Sequence, residues 1–474
     1  MKKRGASTAV VIGSLIVGLL IGAGGIYVAA PSLGLGSSST VTNTTTVNGS
    51  GGTTVTTTAF STKTVSTTVT TSGAQAAGLC NGQTVTIGAL NDLSGQLSAQ
   101  GKGDLAAEQL AIAEVNTWVQ SSGCSLTFAL NNQDYALNNQ QALTELQAMA
   151  TGGVQVVVGP LNSGTAQFIL QYANSNHIML ISPSSTSPAL HVTDTTNNYL
   201  FRTAPNDAAQ GQAIAREVLT QGATAVIVIN RDDTYGGGLA NATVSFLKQD
   251  GVAASNIGGP YKYDPATTDF SALISQVTNE FNTLNTGANT GHVAIVSVSF
   301  QELGTLLAQA STQSPTIYNN VPWYGSDGEA QNSLLSNSTV GQYTSHVILP
   351  STLFNVVNNS RTLAFYQKYA GTQQLAAITG GGVFYTMEGY DDVWLAALSI
   401  LSAGQNSGAA IHAVFPSVAN SFYGLTGWEG LSGNDRIPGS YQIWKVVASG
   451  SSFSWVLAGT WDFNTDTVTW ISPP

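Results

Sequence analysis

From Thr84 onward the chain alternates short β-branched runs with amphipathic stretches, a pattern that restricts it to α/β architectures built on parallel sheets. The runs are TVTIGAL (84–90), SLTFAL (125–130), VQVVVG (154–159), IMLIS (178–182), AVIVI (225–229) and HVAIVSV (292–298). They are nearly continuous in apolar residues, as strands buried on both faces should be. Between them, Leu105, Ile112, Val115 and Val119 share one helical face, and Leu143, Leu146 and Met149 another. Parallel neighbours need right-handed crossovers, so each helix covers a sheet face. Roughly 380 residues of such alternation exceed one compact sheet, and two lobes with a cleft between them are expected.

In open α/β sheets, ligands lie beyond the carboxyl ends of the strands. Six such ends are rich in small polar residues and glycine: NDLSG (91–95), GPLNSGTA (159–166), SPSSTSP (182–188), RDDTYGGG (231–238), SFQELG (299–304) and GSDGEA (325–330). Each precedes an expected helix, where free backbone N–H groups can bind an anion such as a carboxylate. One alone reads as a capped loop. Six at corresponding places point to a shared site.

Composition excludes other classes. Only 8% of residues are charged, the net charge is −11, and outside the first four residues no basic cluster exists to neutralise phosphates, so no nucleic-acid partner is expected. A surface this sparse in charge suits acidic surroundings. The five histidines (177, 191, 292, 346 and 412) stand in no triad order, and neither GxSxG, a phosphate-binding GxxxxGK[ST] nor HExxH occurs. The chain is therefore expected to be no enzyme, with no cofactor and no metal.

Lys2, Lys3 and Arg4 precede an uncharged stretch from Thr8 to Val28, long enough at about 30 Å of helix to cross a bilayer and leave the rest of the chain outside. Residues 1–30 read as a transmembrane anchor or a signal segment. Cleavage after Ala30 would leave Pro31 first, which disfavours removal, and Tyr27 sits where an interfacial aromatic anchors a helix. A third reading is a pilin-like processing site at Lys-Arg-Gly-Ala, which would trim the start and keep the helix. Residues 31–83 are mostly Ser, Thr, Gly and Val and cannot bury a core, so they read as a stalk spanning roughly 40 Å as a flexible coil. Glycosylation sequons stand at Asn43, Asn48, Asn241, Asn337 and Asn358. Cys80 and Cys124 are the only cysteines. In an extracellular chain such a pair reads as a disulfide, since a metal site wants four ligands; two free buried thiols are the alternative.

Five stretches resemble a known family. IGALNDLSGQLSAQGKGDLAAEQLAIAEVN (87–116), VVVGPLNSGTA (156–166), IMLISPSSTSPAL (178–190), FRTAPNDAAQGQAIA (201–215) and YDPATTDFSALISQV (263–277) are similar to the type I periplasmic binding proteins, in particular the leucine-binding, branched-chain amino acid and amide branch serving ABC transporters. The resemblance runs from Thr84 to the C-terminus. It implies two Rossmann-like lobes with parallel sheets joined by a three-strand hinge, with crossings near Ala204, Pro350 and Pro438. One lobe would hold residues 84–204 and 350–438, the other 205–349 and 439–474.

The resemblance also implies a ligand set. An α-carboxylate would meet Asn162, Ser163, Ser184, Ser185 and Thr186, with the Ser163 and Thr186 hydroxyls as donors. An α-ammonium would meet the carbonyl near Ser184 and Asp327, or Glu329 should the alignment slip. Tyr235 and Phe300 match the aromatics that close over the ligand, although a tyrosine is expected where Phe300 stands. Asp92 and Ser94 lie where the ligand's side chain is met, and Asp134 matches a position of loop structure. The implied function is an extracellular, membrane-anchored, monomeric solute-binding protein that delivers an amino acid or short amide to an ABC transporter permease. A ligand-sensing module would want a signalling domain inside the membrane, yet only about seven residues precede the apolar run. A surface-layer or adhesive protein would not need polar loops converging on a cleft.

Overall fold

The computed structural model describes residues 78–354, 359–381 and 385–474. The apolar segment and the stalk up to residue 77 lie outside the described residues, among which no helix is long and apolar enough to cross a membrane. All six apolar runs are strands. β1 (Thr84–Asn91), β2 (Thr127–Asp134), β3 (Val156–Val158), β4 (Met179–Ser182) and β5 (Leu200–Pro205) pair in parallel in the order β5-β4-β3-β1-β2. Their crossovers carry α1 (Ser98–Ser121), α2 (Asn139–Thr151) and α3 (Ser163–Asn176). A second parallel sheet, ordered β7-β6-β8-β9, joins β6 (Ala225–Arg231), β7 (Ile257–Tyr263), β8 (Val293–Val298) and β9 (Trp323–Tyr324). It is built with α4 (Asp207–Thr220), α5 (Thr234–Gln249), α6 (Ser271–Leu284), α7 (Leu303–Gln313), and the short α8 (Pro315–Asn320) and α9 (Gly341–His346).

The remainder of the chain returns to both sheets. After β10 (Ser351–Phe354) come α10 (Ser360–Tyr369), α11 (Gln373–Gly381), α12 (Thr386–Ala403) and α13 (Gly408–Ser421). β11 (Leu431–Ser432) and β12 (Asp435–Arg436) then extend the first sheet beyond β5, where the Arg202 guanidinium donates to Asp435. The last strands, β13 (Tyr441–Ser449), β14 (Ser452–Asp462) and β15 (Thr467–Trp470), form with β10 an antiparallel sheet, which departs from the all-parallel expectation. The reason is local. Only two residues link β13 to β14, with Gly450 at positive φ, and so short a link joins antiparallel strands only. A bridge from Gly325 to Ser351 ties this sheet to the end of β9.

Four apolar cores hold these layers, the smallest being where α4 meets the antiparallel sheet at Leu353, Phe354, Tyr441 and Trp461. One lies between the first sheet and α1, α12 and α13. Another runs from α2 and α3 across the cleft to α5, β6 and β8, and a third packs α6 and α7 on the second sheet. On α1, Val115 and Val119 are buried as expected, each stabilising by about 1.5–3 kcal/mol, whereas Leu105 and Ile112 are half-buried. The same helix also buries Gln100, Asp104 and Glu108 at successive i, i+4 positions, which apolar periodicity does not foretell. Cys80 and Cys124 are bonded to each other, joining the approaches to the neighbouring strands β1 and β2.

Candidate ligand-binding site

The carboxyl ends of the two parallel sheets face a shared pocket. From the first sheet and its helices it is lined by Leu97, Gln100, Leu161, Asn162, Ser163 and Ser184; from the second by Tyr235, Phe300, Asp327 and Gly328; and from the head of α12 by Tyr385. Sequence reasoning named Asn162, Ser163, Ser184, Tyr235, Phe300 and Asp327, and the fold brings these six together.

One wall donates. Asn162 is the N-cap of α3 and leaves that helix's first amides without a side-chain acceptor. Its Oδ1 accepts from Tyr135 Oη at 2.9 Å, so the amide faces its NH₂ elsewhere. Ser163 Oγ accepts from the Ser187 amide at 3.1 Å and keeps its own proton for another acceptor. A carboxylate is the natural guest of such a wall.

The opposite wall accepts. Asp327 is buried, with Oδ1 accepting from Tyr235 Oη at 2.6 Å and Oδ2 from Tyr385 Oη at 2.9 Å. Burial pushes its carboxyl above the ordinary range, and the two hydroxyls pull it back. Asp207, fully enclosed at the start of α4, is pushed well above the usual range by burial and then by the Asp327 charge. Tyr235 also receives the Gly328 amide at 3.1 Å, and its ring stacks on Phe300 with centroids 5.2 Å apart. Arg231 lies 3.8 Å from the Phe300 ring centre and pairs with Glu302 and Asp233. Glu329 is absent from the lining: it accepts from the Ser326 amide and from the Ser297 hydroxyl, and burial raises it to about 8.

The other expected contacts are engaged in loop structure. Asp92 accepts from the Gly95 and Leu97 amides, shaping the turn into α1. Ser94 is exposed and donates to Asp134, which also accepts from the Leu93 amide. Ser185 bonds to Ser182 and to the Pro160 carbonyl, and the Thr186 carbonyl accepts from the Asp207 amide at the head of α4. None of Asp92, Ser94, Ser185 and Thr186 lines the cavity. Among the sequons, Asn241 is exposed on α5 and Asn337 is half-buried in a turn; Asn43, Asn48 and Asn358 lie outside the described residues.

Hydrogen bonds cross the mouth of the cleft. Gln96 Nε2 donates to the Pro265 carbonyl at 2.8 Å and its Oε1 accepts from Arg231 at 3.1 Å. Ser187 Oγ donates to the Thr234 carbonyl at 2.7 Å, and Thr234 Oγ1 to Gln167 Oε1 at 2.5 Å. Gly238 packs against this seam so closely that a Cβ there would stand 2.4 Å from Ser187 Oγ and 3.0 Å from Pro188 Cδ.

Comparison with known proteins places this arrangement. The sequence profile described as periplasmic binding protein matches residues 84–443. An uncharacterised protein of Methanocaldococcus jannaschii is 29% identical over 426 residues, 86% of this chain and 95% of its own length. A Leu/Ile/Val-binding protein of Rhizobium johnstonii is 28% identical over 197 residues, 41% of this chain, and the chain spans 52% of that relative's length. The crystal structure of a leucine-binding protein from Thermotoga maritima superposes with a TM-score of 0.60 at 19% identity, covering 78% of this chain and 97% of that one.

Proposed function

The chain belongs to the periplasmic binding protein family, and from that premise we propose that it is an extracellular receptor that closes two lobes on an L-amino acid and delivers it to an ABC transporter permease. The observation that carries the ligand class is the pairing of a donor wall at Ser163 and the α3 N-terminus with a buried carboxylate at Asp327. A zwitterion satisfies both. A neutral sugar would leave Asp327 buried without a charged partner, which is costly in low dielectric.

The lobes in this reading are residues 84–204 with 350–438 and residues 205–349 with 439–474. The site is Asn162, Ser163 and Ser184 on one side and Tyr235, Phe300 and Asp327 on the other, with Ser185, Thr186, Asp92 and Ser94 shaping the loops that hold it. Closure stores ligand contacts from both lobes, and the shut form is the one presented to the permease. The Thr8–Val28 segment would anchor the protein and residues 31–83 would lift it, with glycans at the sequons and one copy per ligand. Fractionation of cells expressing the full chain tests the anchor: recovery in the soluble fraction would remove it.

Isothermal titration of the full chain against L-amino acids, short amides and sugars tests the ligand class. Binding of one or a few L-amino acids near micromolar, about −8 kcal/mol, is expected. Exclusive binding of a sugar would overturn the reading and leave the fold intact.

A further inference from the structure

Gln100 lies in the first turn of α1, is 2% exposed, and lines the cavity. Its Nε2 donates to Ser184 Oγ at 2.9 Å and to Asp104 Oδ2 at 3.2 Å. Ser184 gives its own proton to the Leu161 carbonyl at 2.7 Å, so towards Gln100 its oxygen can only accept. That fixes the amide with its NH₂ facing Ser184 and occupies both amide hydrogens. The remaining acceptor, Oε1, receives no hydrogen bond from any described residue.

Under the amino-acid reading, the ligand's carboxylate meets the donors at Ser163 and its ammonium meets Asp327. Gln100 is then a third polar element, flanked by the apolar Leu97 and Leu161. A ligand that covers this oxygen without offering it a donor strips its solvent and leaves it unpaired, which weakens binding by on the order of tenfold. A ligand that brings a donor there gains relative to one that brings a methyl group.

We propose that Gln100 selects the ligand's side chain, so that the site takes small L-amino acids ending in a hydroxyl or carboxamide in preference to branched aliphatic ones. This deepens the amino-acid reading above and rests on it. The amide stands beside Ser163 and Ser184, so the group it meets is one carried close to the ligand's α-carbon. The partners that hold the amide also hold it still: Ser184 through the Leu161 loop, and Asp104 one turn further along α1.

Asparagine and leucine have nearly the same shape, as do threonine and valine, so each pair isolates the donor. Titration calorimetry of the full-length wild type should show asparagine bound about tenfold or more tighter than leucine, and threonine likewise over valine. In Gln100→Leu, both preferences should collapse or reverse, with the thermal unfolding midpoint reporting that the variant is folded. The wild-type comparison stands even if that variant does not fold. Leucine or valine bound as tightly as its polar twin, or ratios unchanged in folded Gln100→Leu, would overturn the proposal and leave the amino-acid reading in place. Binding of no L-amino acid at all would remove that reading, and this one with it.

Discussion

Tyr385, at the head of α12, donates its hydroxyl to Asp327 Oδ2 at 2.9 Å, taking the carboxylate oxygen that Tyr235 leaves open. The carboxylate is thus aimed from two sides before any ligand arrives. Asp327→Ala should weaken binding of an amine ligand by about 2–5 kcal/mol, because the ammonium would be enclosed without a counter-charge. Tyr385→Phe should cost about 1 kcal/mol. Titration calorimetry reads both, and unchanged affinity in Asp327→Ala would remove that residue from the site.

Gly238 sets how closely α5 approaches the Ser187–Pro188 loop. Gly238→Ala should tighten the helix itself by about 0.5–1 kcal/mol yet obstruct closure. The expected outcome is therefore a slightly higher unfolding temperature together with an affinity lowered about tenfold. Small-angle scattering with and without ligand would show whether compaction is lost. Undiminished affinity would mean that the shut form tolerates a wider seam.

Thirteen buried carboxyl side chains face four buried cations among the described residues, so much of the interior acid must be protonated. Burial raises Glu108, Glu329 and Glu388 to about 8. In each, the folded form holds a proton that the unfolded chain releases at its ordinary glutamate value of about 4.3. Their stabilisation is complete below that value and is lost as pH rises towards about 8. Denaturant midpoints at pH 4, 6 and 8 should fall in that order. Glu388→Gln should flatten the loss between pH 6 and 8, and midpoints rising with pH would contradict the assignment.

The Cys80–Cys124 bond closes a loop of 44 residues at the entry to the first sheet. Replacing both cysteines by serine should lower stability by about 2–4 kcal/mol. Calorimetric unfolding checks this, and ligand affinity should be unaffected because neither residue lines the cavity.

Much of the fold was legible because five of the six strands are buried on both faces and announce themselves as apolar runs, whereas the edge strand β2 buries only Phe128. β5 escaped notice since Arg202 and Thr203 interrupt its run, and β7 since Gly258, Gly259 and Pro260 break it. The site was readable wherever a strand end supplies the contact, as at Ser163, Tyr235 and Asp327. Tyr385 was missed because it precedes a helix that follows no strand of the parallel sheets, in a stretch where only the Gly380–Gly382 run is a signal. Gln100 was missed because a polar residue inside a helix reads as solvent-facing unless the cavity is known. Loop polarity alone did not separate Ser163, whose proton is free, from Ser185, whose hydroxyl is tied to Pro160 and Ser182.

Strand β12 arrives beside β5 some 230 residues later in the chain, and Asp435 then takes the Arg202 guanidinium, which also donates to the Ser185 and Ser187 carbonyls. The loop carrying Ser184 therefore acquires its last support only after the segment bearing Asp435 has been made. Until then the first sheet lacks the strand that flanks β5, and the polar loop at its carboxyl edge waits on a partner distant in sequence.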